Sequence, residues 1–434
     1  MFSRKFISFP VTDLIKIKQQ VLNWSASFDT CCFLDNQQYT SGTNTFECIA
    51  AVGEIAGLKA MSGTAFDQLR QFSSTQKDWL FGHFSFDLKS ETESVPSRLP
   101  DNVGFPDLFF FVPEIIVLLN QDRLSIGVLQ DNHGQVLKEI QNAGLVSAGR
   151  KTEPVIIRQR IPKAEYLEII QKLKKHIFRG DCYEINFCQE FYAEDAEIDP
   201  AETFQNLIDV SPNPFSAFYR LDDRYLICAS PERFIAKKGR QIFSQPMKGT
   251  SRRDLKDREH DEVLRRKLEQ SAKERSENVM VVDMVRNDLT KVCTESSVKV
   301  DELFGVYSYP QVHQMISTIS GELKEEVSFS EIIGATFPMG SMTGAPKYRV
   351  MELIDQYEES ARGIFSGSVG YISPGGDFDF NVVIRSIMYN TRSKYLSYQL
   401  GSGITFYSDP EKEWEECLLK GEAIKKVLTA KPAP

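Results

Sequence analysis

The stretch LICASPERFIAKKGRQIFSQPMKGT, residues 226–250, decides how the rest of the chain is read. Residues 226–236 are apolar and β-prone, Lys237 to Arg240 make a basic turn around Gly239, and QIFSQPM resumes an apolar–polar alternation. That pattern predicts a strand, a turn and a second strand beside the first. Lys248 closes it, two residues after Pro246 and one before Gly249. If the strands pair, Glu232 and Lys248 lie close together, and an amine beside a carboxylate in a partly dry site can serve as nucleophile and proton shuttle. From these residues alone, an ordinary surface salt bridge is the simpler account.

Working outward, other strand-like runs (215–220, 367–372, 378–389, 395–400) arrive in hairpin-like groups rather than alternating with helices. Helices are expected over KAEYLEIIQKLKKHIFRG, opened by Pro162 and stopped by Gly180, and over 254–276 and 411–428. This grouping predicts an α+β fold with antiparallel sheets, not a doubly wound one. A chain of 434 residues permits two or three units, or one unusually large two-layer domain. Polar stretches fall at 87–107, with Gly and Pro, and at 131–153, with Gly; the second is the better boundary, dividing 1–150 from 151–434.

With 26% charged residues and a formal net charge of -9, the chain has no overall attraction for nucleic acid or an anionic membrane. Any anionic ligand must be held by local cations, dipoles or a metal. The eight cysteines form no CxxC pair and no metal-ligand spacing with the five histidines, as expected of free thiols in a reducing compartment. The most apolar run, 108–119, is broken by Pro113 and Glu114 and is too short to span a bilayer. MFSRKFISFPV lacks a signal-peptide apolar region, so the chain reads as cytoplasmic.

Two carboxylate pairs stand at helical spacing: Glu274 with Glu277, and Glu413 with Glu416. Singly, each is most simply a solvated helix face; facing one another, they would make an oxygen-rich site suited to Mg²⁺, which keeps waters that second-shell carboxylates can hold. GSMTGAPK (340–347) is not a Walker loop, because Pro346 precedes the lysine and Tyr348 follows it, yet its amides could receive an anion at a helix N-terminus. Gly401-Ser402-Gly403 offers bare backbone amides, and Arg385, flanked by apolar residues in FNVVIRSIMY, suits bidentate carboxylate binding.

Taken in order, ASPERF, PMKGT, ENVMVVDMVRNDL, GSMTGAPK, SGSVGY, IRS, GSG and DPEKEWEE make the chain resemble the chorismate-binding enzymes from about residue 162 to 428. That family comprises the first components of the anthranilate and aminodeoxychorismate synthases and the isochorismate and salicylate synthases. WLFGHFSFDLK (79–89) is similar to the N-terminal part that these enzymes weave around the same core. The resemblance implies an α/β sandwich of two large antiparallel sheets with outer helices, like anthranilate synthase component I, and an active site in the cleft between the sheets.

It also implies roles. Glu277 and Glu416 would ligate Mg²⁺, with Glu274 and Glu413 acting through waters, and the ion would hold the ring carboxylate of chorismate. Arg385 and the backbone of Gly401, Ser402 and Gly403 would take the enolpyruvyl carboxylate; Ser341, Lys420, Gly249 and Thr250 would line the substrate. Glu232 would be the general acid that helps the ring hydroxyl leave, which requires a raised pKa.

Lys248 resembles the lysine of the aminodeoxychorismate synthase branch, where other branches carry a small residue. There it is implied to add at ring carbon 2 before ammonia attacks carbon 4, which requires a lowered pKa. Ammonia would come from a separate glutamine amidotransferase subunit, since no cysteine here is framed as a glutaminase nucleophile. The product, 4-amino-4-deoxychorismate, would feed 4-aminobenzoate and folate synthesis. Two alternatives stay open: an anthranilate or isochorismate-type synthase, and a noncatalytic chorismate-binding regulator. Departures from the family pattern include Gln314 where relatives have histidine, with His313 turned from the cleft, and Phe365 where a tyrosine is common.

Overall fold

The stretch 226–250 is not one hairpin, because the chain changes sheets in its middle. In the computed structural model, which describes residues 4–39, 46–96, 98–144, 154–309 and 312–429, the strand Arg224–Ser230 belongs to one sheet and Arg233–Lys238 to another. Pro231 has no N–H to give a ladder, and the crossing falls on Pro231 and Glu232. The hairpin that does form joins Arg233–Lys238 to Gln241–Gln245 around Gly239, whose φ of 60° suits glycine. Pro246 ends this pairing, and Met247–Arg252, which carries Lys248, pairs instead with Val312–Glu322.

A second crossing runs beside the first. The predicted strand 378–389 is split into Phe378–Asn381 in the second sheet and Ser386–Asn390 in the first, with Arg385 between them at φ 53°. Backbone bonds tie the crossings together: Val382 N–H donates to Glu232 O (3.0 Å), and Ala229 N–H to Arg385 O (3.2 Å). The first crossing is hidden from solvent, since Ala229 to Ala236 are all buried although Ser230, Glu232 and Arg233 are polar, while Ile384 and Arg385 of the second are half-buried. A pair of sheet crossings thus delivers a carboxyl and a guanidinium to one place.

Among the described residues the first sheet has twelve strands and the second ten, and every strand pair is antiparallel. The α+β sandwich is as the sequence predicts. Strands from the first 128 residues enter both sheets: Thr30–Asp35 pairs with Phe215–Leu221, and Leu80–Phe84 with Ser368–Ile372. A boundary at residue 150 lies outside the described residues.

Strand alternation separates two cores. Cys32, Ile49 and Tyr219 point into the layer between the sheets with Phe81, Phe109 and Phe111. Their neighbours Cys31, Phe33 and Ala50 point outward, into a core with Val21, Val136 and Phe204 of three covering helices. Each fully buried phenylalanine contributes roughly 1.5–3 kcal/mol by leaving water. No helix among the described residues is long and apolar enough to cross a membrane.

Two expected helices are each two. Residues 254–276 contain Arg258–Glu269 and the start of Ala272–Val292, restarted by Ser271, whose hydroxyl accepts from Glu274 N–H at 3.4 Å. Residues 411–428 divide at Gly421 into Pro410–Lys420 and Glu422–Thr429. The first member of the second pair and the long helix Ala272–Val292 carry the four glutamates.

Candidate active site

Both crossings open on a cleft of about 990 Å³. Every site residue expected from the sequence lines it except Ser402 and Glu413. Ser402 alternates to the other face of its strand, where it is buried with its hydroxyl 3.4 Å from that of Tyr166. Glu413 is buried behind the cleft wall, with Lys273 Nζ 3.6 Å away.

One half of the cleft is built on strands. Lys248 Nζ donates to Glu184 Oε1 at 2.5 Å, and both side chains are almost wholly buried. The carboxylate beside the lysine is therefore Glu184, not Glu232 as the hairpin reading expected, because the crossing at Pro231 breaks that hairpin. Gly403 makes room for the pair: a Cβ there would lie 2.8 Å from Glu184 Oε1 and 2.9 Å from Lys248 Nζ. Sequence reading missed Glu184, although a lone carboxylate inside the β-prone run YEINF was its available signal.

Burial lowers the pKa of Lys248, but Glu184, Glu277 and Glu416 raise it more, so the net shift is upward. The expected downward shift is thus not found: three carboxylates outweigh desolvation. The upward shift expected of Glu232 is present. Burial lifts its carboxyl to about 7, against the pull of Ser341, Lys248 and the Met247 N–H, so a large share is protonated at neutral pH.

The other half is built on helices. Glu277 is buried and raised by desolvation to about 7, with Oε1 shielded from water and without a hydrogen-bond partner. Glu274 is also raised by burial. Glu416 is held down at about 2 chiefly by Lys420, whose Nζ lies 2.8 Å away and also donates to Gly401 O at 2.9 Å. Arg385 donates to Lys420 O at 2.9 Å, and burial draws its pKa down to about 10 against the pull of Glu416.

Lys273 bridges the two carboxylate helices, 3.8 Å from Glu277 and 3.6 Å from Glu413. Among the described residues no three His, Cys, Asp or Glu side chains converge in ligating geometry as they stand. The donor set still suits a hard divalent cation: oxygen ligands only, a surplus of negative charge, and a buried oxygen without a hydrogen-bond partner.

The GSMTGAPK loop is not an open anion cradle. Gly344 and Ala345 pair with Ile185 and Glu184, and Lys347 is tied to Asp288 at 2.7 Å. A Cβ on Gly344 would meet Glu184 O at 2.1 Å, so only glycine admits this approach. The loop is anchored by buried Arg362, also missed from the sequence, which donates to Met342 O (2.7 Å) and Asn186 O (2.8 Å) and pairs with Glu358.

His313 is turned from the cleft, as expected, and is buried between Asp261 (3.0 Å) and Ser308 (2.8 Å), while Gln314 lines the site. Phe365 also lines it, whereas Tyr371 packs with Trp79 and Phe81 elsewhere.

The sequence model of the family described as chorismate binding enzyme matches residues 30–426. Aminodeoxychorismate synthase component 1 of Escherichia coli (strain K12) is 34% identical over 348 residues, covering 80% of this chain and 76% of that protein. The Bacillus subtilis (strain 168) protein of the same name is 31% identical over 361 residues, again covering 80% and 76%. The crystal structure of anthranilate synthase component I from Streptococcus pneumoniae TIGR4 shares the fold, with a TM-score of 0.78 at 24% identity over 90% of this chain and 94% of that one. With its family motifs gathered around one cleft, this chain belongs to the chorismate binding enzyme family.

Proposed function

We propose that the chain is the first component of an aminodeoxychorismate synthase, which replaces the carbon 4 hydroxyl of chorismate with an amino group. The observation that carries this reading is Lys248: an amine held by Glu184 occupies the inner cleft, whose lining also includes the buried carboxyl of Glu232. Lys248 Nζ bonds to ring carbon 2, the two ring double bonds each move one place, and the carbon 4–oxygen bond breaks. Glu232 protonates the departing oxygen, which leaves as water. Ammonia then bonds to carbon 4, the double bonds return, and the bond to Lys248 breaks. The new ammonium gives up a proton, which restores Glu232.

Arg385 suits the enolpyruvyl carboxylate, assisted by the backbone of Gly401 and Gly403. Glu277 and Glu416 would hold Mg²⁺, with Glu274 and Glu413 reaching it through waters; when bound, the ion supplies a positive anchor for the ring carboxylate. Lys273, 3.8 Å from Glu277, supplies positive charge that the ion would replace there. Ammonia would come from a separate amidotransferase, a reading supported by the absence of a glutaminase-type cysteine motif in this sequence and by the designation component 1 in the relatives. All eight cysteines are buried free thiols, which suits a reducing cytoplasm.

Incubation with chorismate, Mg²⁺ and ammonium tests the assignment. The expected product acquires nitrogen at carbon 4 and yields 4-aminobenzoate only after an aminodeoxychorismate lyase is added. Fluorescent anthranilate released without a lyase would refute it, and binding without turnover would point to the regulator.

A further inference from the structure

Behind Lys248, in the wall of the strand-built half of the cleft, lies a buried carboxylate that the reaction above leaves unused. We propose that Glu184 is the proton acceptor for Lys248, taking an ammonium proton as Nζ bonds to the ring, and that Gly403 keeps open the gap in which the two side chains meet. The inference rests on Lys248 being the nucleophile.

Three observations carry it. Glu184 Oε1 lies 2.5 Å from Lys248 Nζ, and among the described residues it is the one hydrogen-bond acceptor recorded for that amine. Glu184 Oε2 is shielded from water and has no hydrogen-bond partner, so Lys248 is the one side chain hydrogen-bonded to this carboxylate among the described residues. Finally, Glu184 has little freedom to withdraw: its strand is laddered to Gly344–Ala345 on one side and Tyr395–Ile404 on the other. A Cβ at position 403 would intrude on both partners at once.

The other charged groups around Lys248 are Glu274 and Glu277 on the helix Ala272–Val292, Glu416 on Pro410–Lys420, and Glu232 at the crossing. They act on it through the field of the cleft, whereas Glu184 touches it. Transfer within the pair converts ammonium and carboxylate into neutral amine and carboxylic acid, with no proton exchanged with water. The amine lone pair then forms the bond to carbon 2. When ammonia displaces it, Lys248 leaves as a neutral amine and recovers its proton from Glu184, so charge and protons balance over the cycle.

The test is ammonium-driven amination at saturating Mg²⁺, followed from neutral to alkaline pH, for wild type, Glu184→Gln, Gly403→Ala and Lys248→Ala. Glu184→Gln is expected to be slower by roughly 10²-fold at neutral pH, with chorismate KM little changed. Its rate should climb with pH, because Lys248 must now lose its proton to bulk water; wild type should lack that climb. Gly403→Ala retains both side chains and should show the same climb with a smaller loss, which guards against a folding defect in the first variant. Rates within about threefold of wild type and an unchanged pH profile in both variants would overturn the proposal; the threefold margin is well below a general-base effect. Retained amination by Lys248→Ala would instead overturn the nucleophile reading, a separable result.

Discussion

The two halves of the cleft are made in different ways. The half carrying Lys248, Glu184 and Glu232 is assembled from strands and crossings, with its reactive groups buried and tied across the sheets. The half carrying Glu274, Glu277 and Glu416 projects from two helices, and its charges are matched by Lys273 and Lys420. Lys273 is well exposed, at 42%, and Glu416 is 40% exposed. The strand half has a fixed geometry suited to bond-making, while the helix half has side chains that can rearrange around an ion. Covalent chemistry and cation binding should therefore respond separately to substitution.

The sharpest break is Lys248→Ala, which should eliminate carbon 4 amination while leaving chorismate binding measurable by calorimetry. Next is Glu232→Gln, expected to slow amination by about 10²–10⁴-fold. Its pH dependence follows from a folded pKa of about 7 against an ordinary 4.5. The acid is present below about 7 and is lost as pH rises, so the alkaline limb of kcat/KM should disappear in the variant.

Stability has the same sign. The fold binds a proton that the unfolded chain releases, so this group's contribution is complete below pH 4.5 and is lost as pH rises through 7. At pH above 7, Glu232→Gln should therefore stabilise the ligand-free protein by up to about 3 kcal/mol, read from urea midpoints.

In the helix half the effects should be smaller and should appear in the Mg²⁺ dependence. Glu277→Gln should raise the Mg²⁺ concentration for half-maximal rate by about 10–100-fold, with much of kcat recovered at saturation. Lys273→Met should act in the opposite direction and least, lowering that concentration by about threefold, the scale of an exposed charge interaction. If Lys273→Met weakens Mg²⁺ instead, the ammonium is part of the site rather than a competitor for it.

The same division explains what the sequence made legible. Glu274 with Glu277 and Glu413 with Glu416 are local facts, visible as three-residue spacings because one helix sets both members. Ordered motifs located Arg385, Ser341 and the glycines without revealing their neighbours. Hidden were the sheet changes at Pro231 and before Arg385, because the polar residues Glu232 and Arg385 there are drawn into the cleft rather than into a solvent-exposed turn. The Glu184–Lys248 contact joins residues 64 apart in the chain through strands of different sheets, and no local pattern encodes it. The upward shift of Lys248 was hidden for the same reason: its sign depends on carboxylates from three separate elements.

The most direct measurement is to incubate the protein with chorismate and Mg²⁺ without ammonium, quench with acid, and map the modified peptide by mass spectrometry. The account predicts a dehydrated chorismate adduct on Lys248 that disappears when ammonium is added and 4-amino-4-deoxychorismate forms. Turnover to that product in a Lys248→Ala protein, with no adduct in the wild type, would contradict it.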